Sequence, residues 1–167
     1  MKLIFLLLSI LLLSACAQQF AIKPDGFDRY DVALVEVKSN VAGTEEHVLR
    51  LTEMIVDDLN DKNIFQTILS SDESEIEDFM RINIVIMHVN QTPDVQRLAL
   101  GKNARSNEVS VQVFLLDNVS QQALSAFQLQ SYSPTRRGIS VEWPWGSVDE
   151  ALQKISDQLL LQLASWR

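Results

Sequence analysis

Apolar residues along this chain change their period several times, and each change marks an element. Val32, Ala33, Leu34, Val35 and Val37 form a short, nearly continuous apolar strand of the kind buried on both faces. Val48, Leu51, Ile55 and Leu59 then recur at spacings of three and four, which predicts a helix with one core face. Thr44 stands where an N-cap belongs, and Glu45 and Glu46 suit the positive end of the helix. After Asp61-Lys62-Asn63, Ile64 to Leu69 reads as a second strand, Ser70 to Asp78 as an acidic connection, and Ile82 to Val89 as a third strand, apolar on both faces.

Thr92 to Asn107 has no clear period, contains Pro93 and Gly101, and reads as a long loop. Val109, Val111, Val113 and Leu115 then alternate with Ser110, Gln112 and Phe114, the strongest strand pattern in the chain. Asn118-Val119-Ser120 turns that strand back into Leu124, Ala126, Phe127 and Leu129, a return strand ending near Tyr132. Ser147-Val148-Asp149-Glu150 fits a capping box, and Val148, Leu152, Ile155, Leu159, Leu163 and Trp166 make an apolar helical stripe. The order β-α-β-β-β-β-α predicts an α/β two-layer sandwich: a mixed four- to five-stranded sheet with two helices packed on one face. No internal repeat interrupts it.

The first residues follow another logic. Lys2 supplies a positive start, Leu3 to Leu13 an apolar run, and Leu13-Ser14-Ala15-Cys16 reads as a lipobox in which small Ser14 and Ala15 fit a signal peptidase. A spanning helix needs about 20 apolar residues, and this run is roughly 11 long before polar Ser14. Cys16 is the single cysteine of the chain, so the domain forms no internal disulfide and depends on its core. The reading is therefore a signal peptide over 1–15, a lipidated Cys16 with a flexible tether over 16–29, and one α/β domain over 30–167. Ala17 to Arg29, polar and broken by Pro24 and Gly26, would reach ~40 Å if fully extended. Several acyl chains at ~0.8 kcal/mol per buried CH2 anchor stably. Ala17, in place of the aspartate that generally retains lipoproteins in the inner membrane, points by analogy to the outer membrane.

Charge narrows the partners. Losing residues 1–15 removes Lys2 and no acid, which takes the net charge from −8 to about −9. Such a domain opposes nucleic acid and does not adsorb to anionic lipid, so the body is expected to hang in the periplasm from its anchor. Clusters Asp57, Asp58, Asp61 and Asp72, Glu73, Glu75, Glu77, Asp78 lack the order of a calcium loop and read as a solvated acidic face.

Several features resemble the bacterial lipoproteins of the domain of unknown function 4410 family. They are the lipobox, Leu59 to Phe65 closing a helix into a strand, Leu100-Gly101 before the alternating Val109 to Leu116 strand, Asp117 at the turn, Ser131 to Gly138, and the amphipathic last helix. The resemblance spans most of residues 30–165. The chain departs from the family where glycine is usual, carrying Lys102 to Arg105 and Asn118 to Ser120 instead. The fold is also similar to the small α/β domains of secretion-channel lipoproteins. These resemblances imply an assembly or binding role and supply no catalytic residues.

The candidate chemistry agrees. His47 and His88 are the two histidines, no G-x-S-x-G elbow or H-E-x-x-H is present, and Gly101 is isolated, so no catalytic residue, metal or cofactor is assigned. Trp143-Pro144-Trp145 offers an exposed aromatic platform, or a staple packing onto the last helix. Arg97, Lys102 and Arg105 on the long loop, with Arg136 and Arg137, are candidate docking charges. The expectation is a non-enzymatic outer-membrane lipoprotein that binds another envelope protein, with an exposed edge of the first strand offering self-association. The alternatives are a glycan- or small-ligand-binding module using Trp143 and Trp145, and an uncharacterised hydrolase.

Overall fold

Five strands and two long helices are built from these patterns in the computed structural model, which describes residues 21–69, 76–91, 107–133 and 147–167. In chain order they are β1 (Val32–Ser39), α1 (Glu45–Asp61), β2 (Thr67–Leu69), β3 (Met80–Asn90), β4 (Glu108–Asp117), β5 (Ala123–Tyr132) and α2 (Val148–Ala164). The sheet order is β2-β1-β3-β4-β5, parallel from β2 through β3 and antiparallel from β3 through β5. The fold is thus the two-layer sandwich with a mixed sheet and both helices on one face. A shared core forms where Ala33 and Val35, Ile82, Ile84 and Ile86, and Val109 to Leu115 meet Leu51, Ile55 and Leu59 of α1 and Leu152, Ile155 and Leu159 of α2.

Strand β1 is not an edge, because β2 and β3 flank it. The edges are three-residue β2 and ten-residue β5. On β5, Lys154 Nζ donates to the Tyr132 carbonyl (2.8 Å) and Gln158 Nε2 to the Gln130 carbonyl (3.4 Å), so α2 blunts that end of the edge. Burial on both faces holds only for the start of β1, where Leu34 joins Leu69 and Phe79 in a small cluster on the face away from the helices. On β3 the outward positions Asn83 and Val85 are half-buried and Met87 is exposed, so that strand is not apolar-buried on both sides. The reason is the layering: helices cover one face of the sheet.

The stretch read as a strand from Ile64 is a strand only from Thr67. Asn63 takes a left-handed conformation (φ 50°), Asn63 N–H donates to the Asn60 carbonyl (3.0 Å), and Ile64 N–H donates to the Leu59 carbonyl (3.2 Å). This is a Schellman ending, with Leu59 and Ile64 both buried beside it. Ile64 therefore finishes the helix instead of starting a ladder. Thr44 stands before α1 without capping it through its side chain; its hydroxyl donates back to the Val41 carbonyl (2.7 Å). Ser147 does cap α2, accepting from Glu150 N–H (3.2 Å).

The folded body begins earlier than residue 30. Pro24 is buried, Phe27 to Arg29 form a 3-10 turn, and Phe27 is 0% exposed between Phe65 (ring centroids 6.1 Å) and Trp166 (5.3 Å). Arg167 lies over the Phe27 and Phe65 rings and donates to the carbonyls of Ile64 (2.8 Å) and Tyr30 (2.5 Å). A polar, Pro- and Gly-broken stretch resembles a tether in sequence, but one aromatic ring is enough to fix it. Phe27→Ala should lower the unfolding free energy by about 3–5 kcal/mol, seen as a lower urea midpoint with an unchanged slope.

Candidate functional site

The two ends of the sandwich differ in how they are closed. At one end β3 leaves through Asn90, β4 enters at Glu108, β5 leaves through Tyr132 and α2 starts at Ser147. Just outside the strands, Asn107 N–H donates to Ser133 Oγ (3.0 Å) and Ser133 N–H returns a bond to the Asn107 carbonyl (2.9 Å). Both residues are buried. This pair joins the stem of segment 92–106 to the stem of segment 134–146. Ser131 Oγ, donating to the Ala151 carbonyl (2.5 Å), ties the same region to the first turns of α2.

The two stems carry the candidates read from the sequence. Arg97, Lys102 and Arg105 belong to the first segment, and Arg136, Arg137, Trp143 and Trp145 to the second; all of them, like Cys16, lie outside the described residues. The structure therefore joins the roots of the two candidate segments and leaves their side chains unplaced. His47, half-buried in the first turn of α1, and exposed His88 near the end of β3 belong to the same end of the sandwich. Among the described residues no three of His, Cys, Asp and Glu converge as a metal site would require.

At the opposite end a charged network sits where the β4–β5 turn meets the incoming chain. Asp117, 4% exposed, accepts from Ser120 N–H (2.7 Å), from Tyr30 Oη–H (2.5 Å) and from the Arg29 guanidinium. The Ser120 amide, then the Tyr30 hydroxyl, hold its carboxyl down to a pKa of about 2. Burial, followed by the bond to Asp117, raises the Tyr30 phenol above its ordinary value. Next in the turn, Asn118 Nδ2 donates to the Glu77 carbonyl (3.1 Å), and its Oδ1 accepts from Arg81 (2.9 Å), which also reaches Glu36 (3.4 Å). Residues 29 to 36, residue 81 and residue 117 are far apart in sequence, and no local pattern announces their meeting. The sequence shows Asp117 only as a turn residue.

This arrangement is a scaffold more than a reaction centre. Its buried carboxylate is saturated by donors and tied to the fold, and the stems of the two candidate segments belong to the other end. No family model matches the chain, and no curated protein matches its sequence. Among solved structures it is similar to the PelC dodecamer from Paraburkholderia phytofirmans (TM-score 0.58, 10% identity, covering 85% of this chain and 95% of that one). It is also similar to protein XCC0632 from Xanthomonas campestris, of the domain of unknown function 330 family (TM-score 0.56, 8% identity, covering 78% and 81%). At such identities the likeness concerns the fold.

The network sets a pH dependence. An unfolded aspartate titrates near 3.9, roughly two units above Asp117 in the fold, so the stability it contributes is full above about pH 4 and is lost as pH falls toward 2. Tyr30, raised in the fold, contributes below about pH 10 and loses that contribution as pH climbs further. Thermal midpoints measured across pH should show the acid limb flattened in Asp117→Asn and the alkaline limb flattened in Tyr30→Phe.

Proposed function

We propose that this chain is an outer-membrane lipoprotein, anchored through Cys16, whose domain acts in the periplasm as a non-enzymatic binding module for another envelope protein. The observation that carries the reading is the Asn107–Ser133 bond pair, which roots both candidate segments at one end of a rigid sheet. Recognition segments on a fixed scaffold bind with less ordering cost than segments on separate supports. The lipobox at Leu13 to Cys16 supplies the anchor, and no helix among the described residues is long and apolar enough to cross a membrane. Membership of the domain of unknown function 4410 family, through Leu100-Gly101, Asp117 and the last helix, belongs to the same proposal.

Binding is assigned to Trp143 and Trp145 as aromatic anchors, with Arg97, Lys102, Arg105, Arg136 and Arg137 as the polar rim. A second reading has one specific support. PelC, with a similar fold, forms a dodecamer, and strand β5 of this chain offers a sheet edge that α2 blunts only at Gln130 and Tyr132. Self-association through a sheet edge would therefore use β5.

Photo-crosslinking amino acids placed at positions 102, 137 and 145 of the full-length protein in cells separate these outcomes. A reproducible envelope partner captured from those positions is the expected result. Homo-oligomers captured only from a further photo-crosslinker at position 126 on β5 favour self-association, and uniform recovery of monomer rejects both. Trp143→Ala with Trp145→Ala should reduce partner capture about tenfold or more, the loss of a hot spot, at an unchanged melting temperature. A lowered melting temperature would assign the two rings to packing. Cys16→Ser should move the protein from the membrane to the soluble fraction.

A further inference from the structure

The end of the fold that carries the Asp117 network is also the end at which the chain enters. Ala21 packs against the core and its carbonyl accepts from Gln162 Nε2 (3.2 Å) near the end of α2. From there Pro24 and Phe27 are buried, so the chain has no slack between Ala21 and β1. Only five peptide steps separate Cys16 from Ala21. At ~3.6 Å per residue they reach at most about 18 Å. The ten-residue strand β4 is about 33 Å long at ~3.3 Å per residue, so the stems at Asn107 and Ser133 lie beyond the reach of the tether.

The most exposed apolar residues are concentrated at the entry end. Ile22 (86% exposed) and Leu161 (71%) flank the two ends of the Ala21–Gln162 hydrogen bond, and Val119 (67%) tips the β4–β5 turn at the same end. At the other end Leu49 (67%), in the first turns of α1, is exposed to a similar degree, and Met87 (43%) and Tyr132 (48%) less so. Single exposed apolar residues are ordinary on protein surfaces. Three at the end from which a short lipidated tether leaves are placed to meet the surface the lipid occupies.

Resting on the reading that Cys16 carries lipid, we infer that Ile22, Val119 and Leu161 form an apolar foot that sits in the interfacial layer of the bilayer. The domain then stands on its Asp117 end, with the stems at Asn107 and Ser133 at the end turned away from the membrane. The contact is apolar and brief. It needs no basic patch, which agrees with the net charge of about −9 once Lys2 is lost with residues 1–15.

Cys16 is the single cysteine and lipidation blocks its sulfur, so one introduced cysteine can be labelled uniquely. Full-length lipoprotein carrying Ile22→Cys, Val119→Cys, Leu161→Cys or Leu49→Cys would be labelled with a polarity-sensitive fluorophore. It would then be reconstituted in vesicles of phosphatidylethanolamine and phosphatidylglycerol containing headgroup spin-labelled lipid. Positions 22, 119 and 161 should lose most of their fluorescence and position 49 almost none. Equal quenching at all four positions, or stronger quenching at 49, overturns the orientation. Palmitate incorporation measured on the same preparations separates the two ideas. Incorporation without quenching rejects the foot alone, and absence of incorporation rejects the anchor and the foot with it.

Discussion

The burial of Phe27 is the contact on which the placement of the other parts depends. It brings together elements remote in sequence: the incoming chain, the segment after the Schellman end of α1 through Phe65, and the end of α2 through Trp166. Phe127 of β5 also meets Trp166 (6.0 Å, edge on), so the cluster extends from the chain entry to the far edge strand. Edge-to-face rings add roughly 0.5–1.5 kcal/mol per pair to their area burial. Arg167 closes the cluster by stacking on two rings while its donors satisfy carbonyls that the turns leave open.

From that constraint follows the asymmetry of the two ends. The entry end is held by aromatic packing and by a carboxylate saturated with donors, and both oppose local opening. The other end is held by hydrogen bonds between serine hydroxyls and backbone: the Asn107–Ser133 pair and the cap at Ser147. The stems are thereby fixed without specifying the sequence between them.

The sheet shows the same division of labour. Its inner face is an alternation of aliphatic residues on β3 and β4 that two helices cover. Its outer face mixes polar pairs, Arg81 with Glu36 and Gln130 donating to Glu108, with half-buried Val85, Phe114 and Leu116, as suits a face that no second layer of helices covers. The small cluster of Leu34, Leu69 and Phe79 is its buried part, placed where β2 protects the first strand.

Local pattern determined the elements and the class. The alternation of Val109 to Leu115, the stripe from Val148 to Trp166 and the cap at Ser147 are properties of neighbours in the chain, and each element forms where its periodicity placed it. The lipobox is likewise a local signal, and so are the tryptophans and basic residues proposed to bind. Tertiary structure decided what depends on contacts between distant residues. It made Phe27 core instead of tether, turned Ile64 into the end of a helix, put β1 inside the sheet and joined Arg29 and Tyr30 to Asp117. The physical reason is range: periodicity reports which face of an element is apolar, but which partner covers that face depends on loop closure and packing over the whole chain.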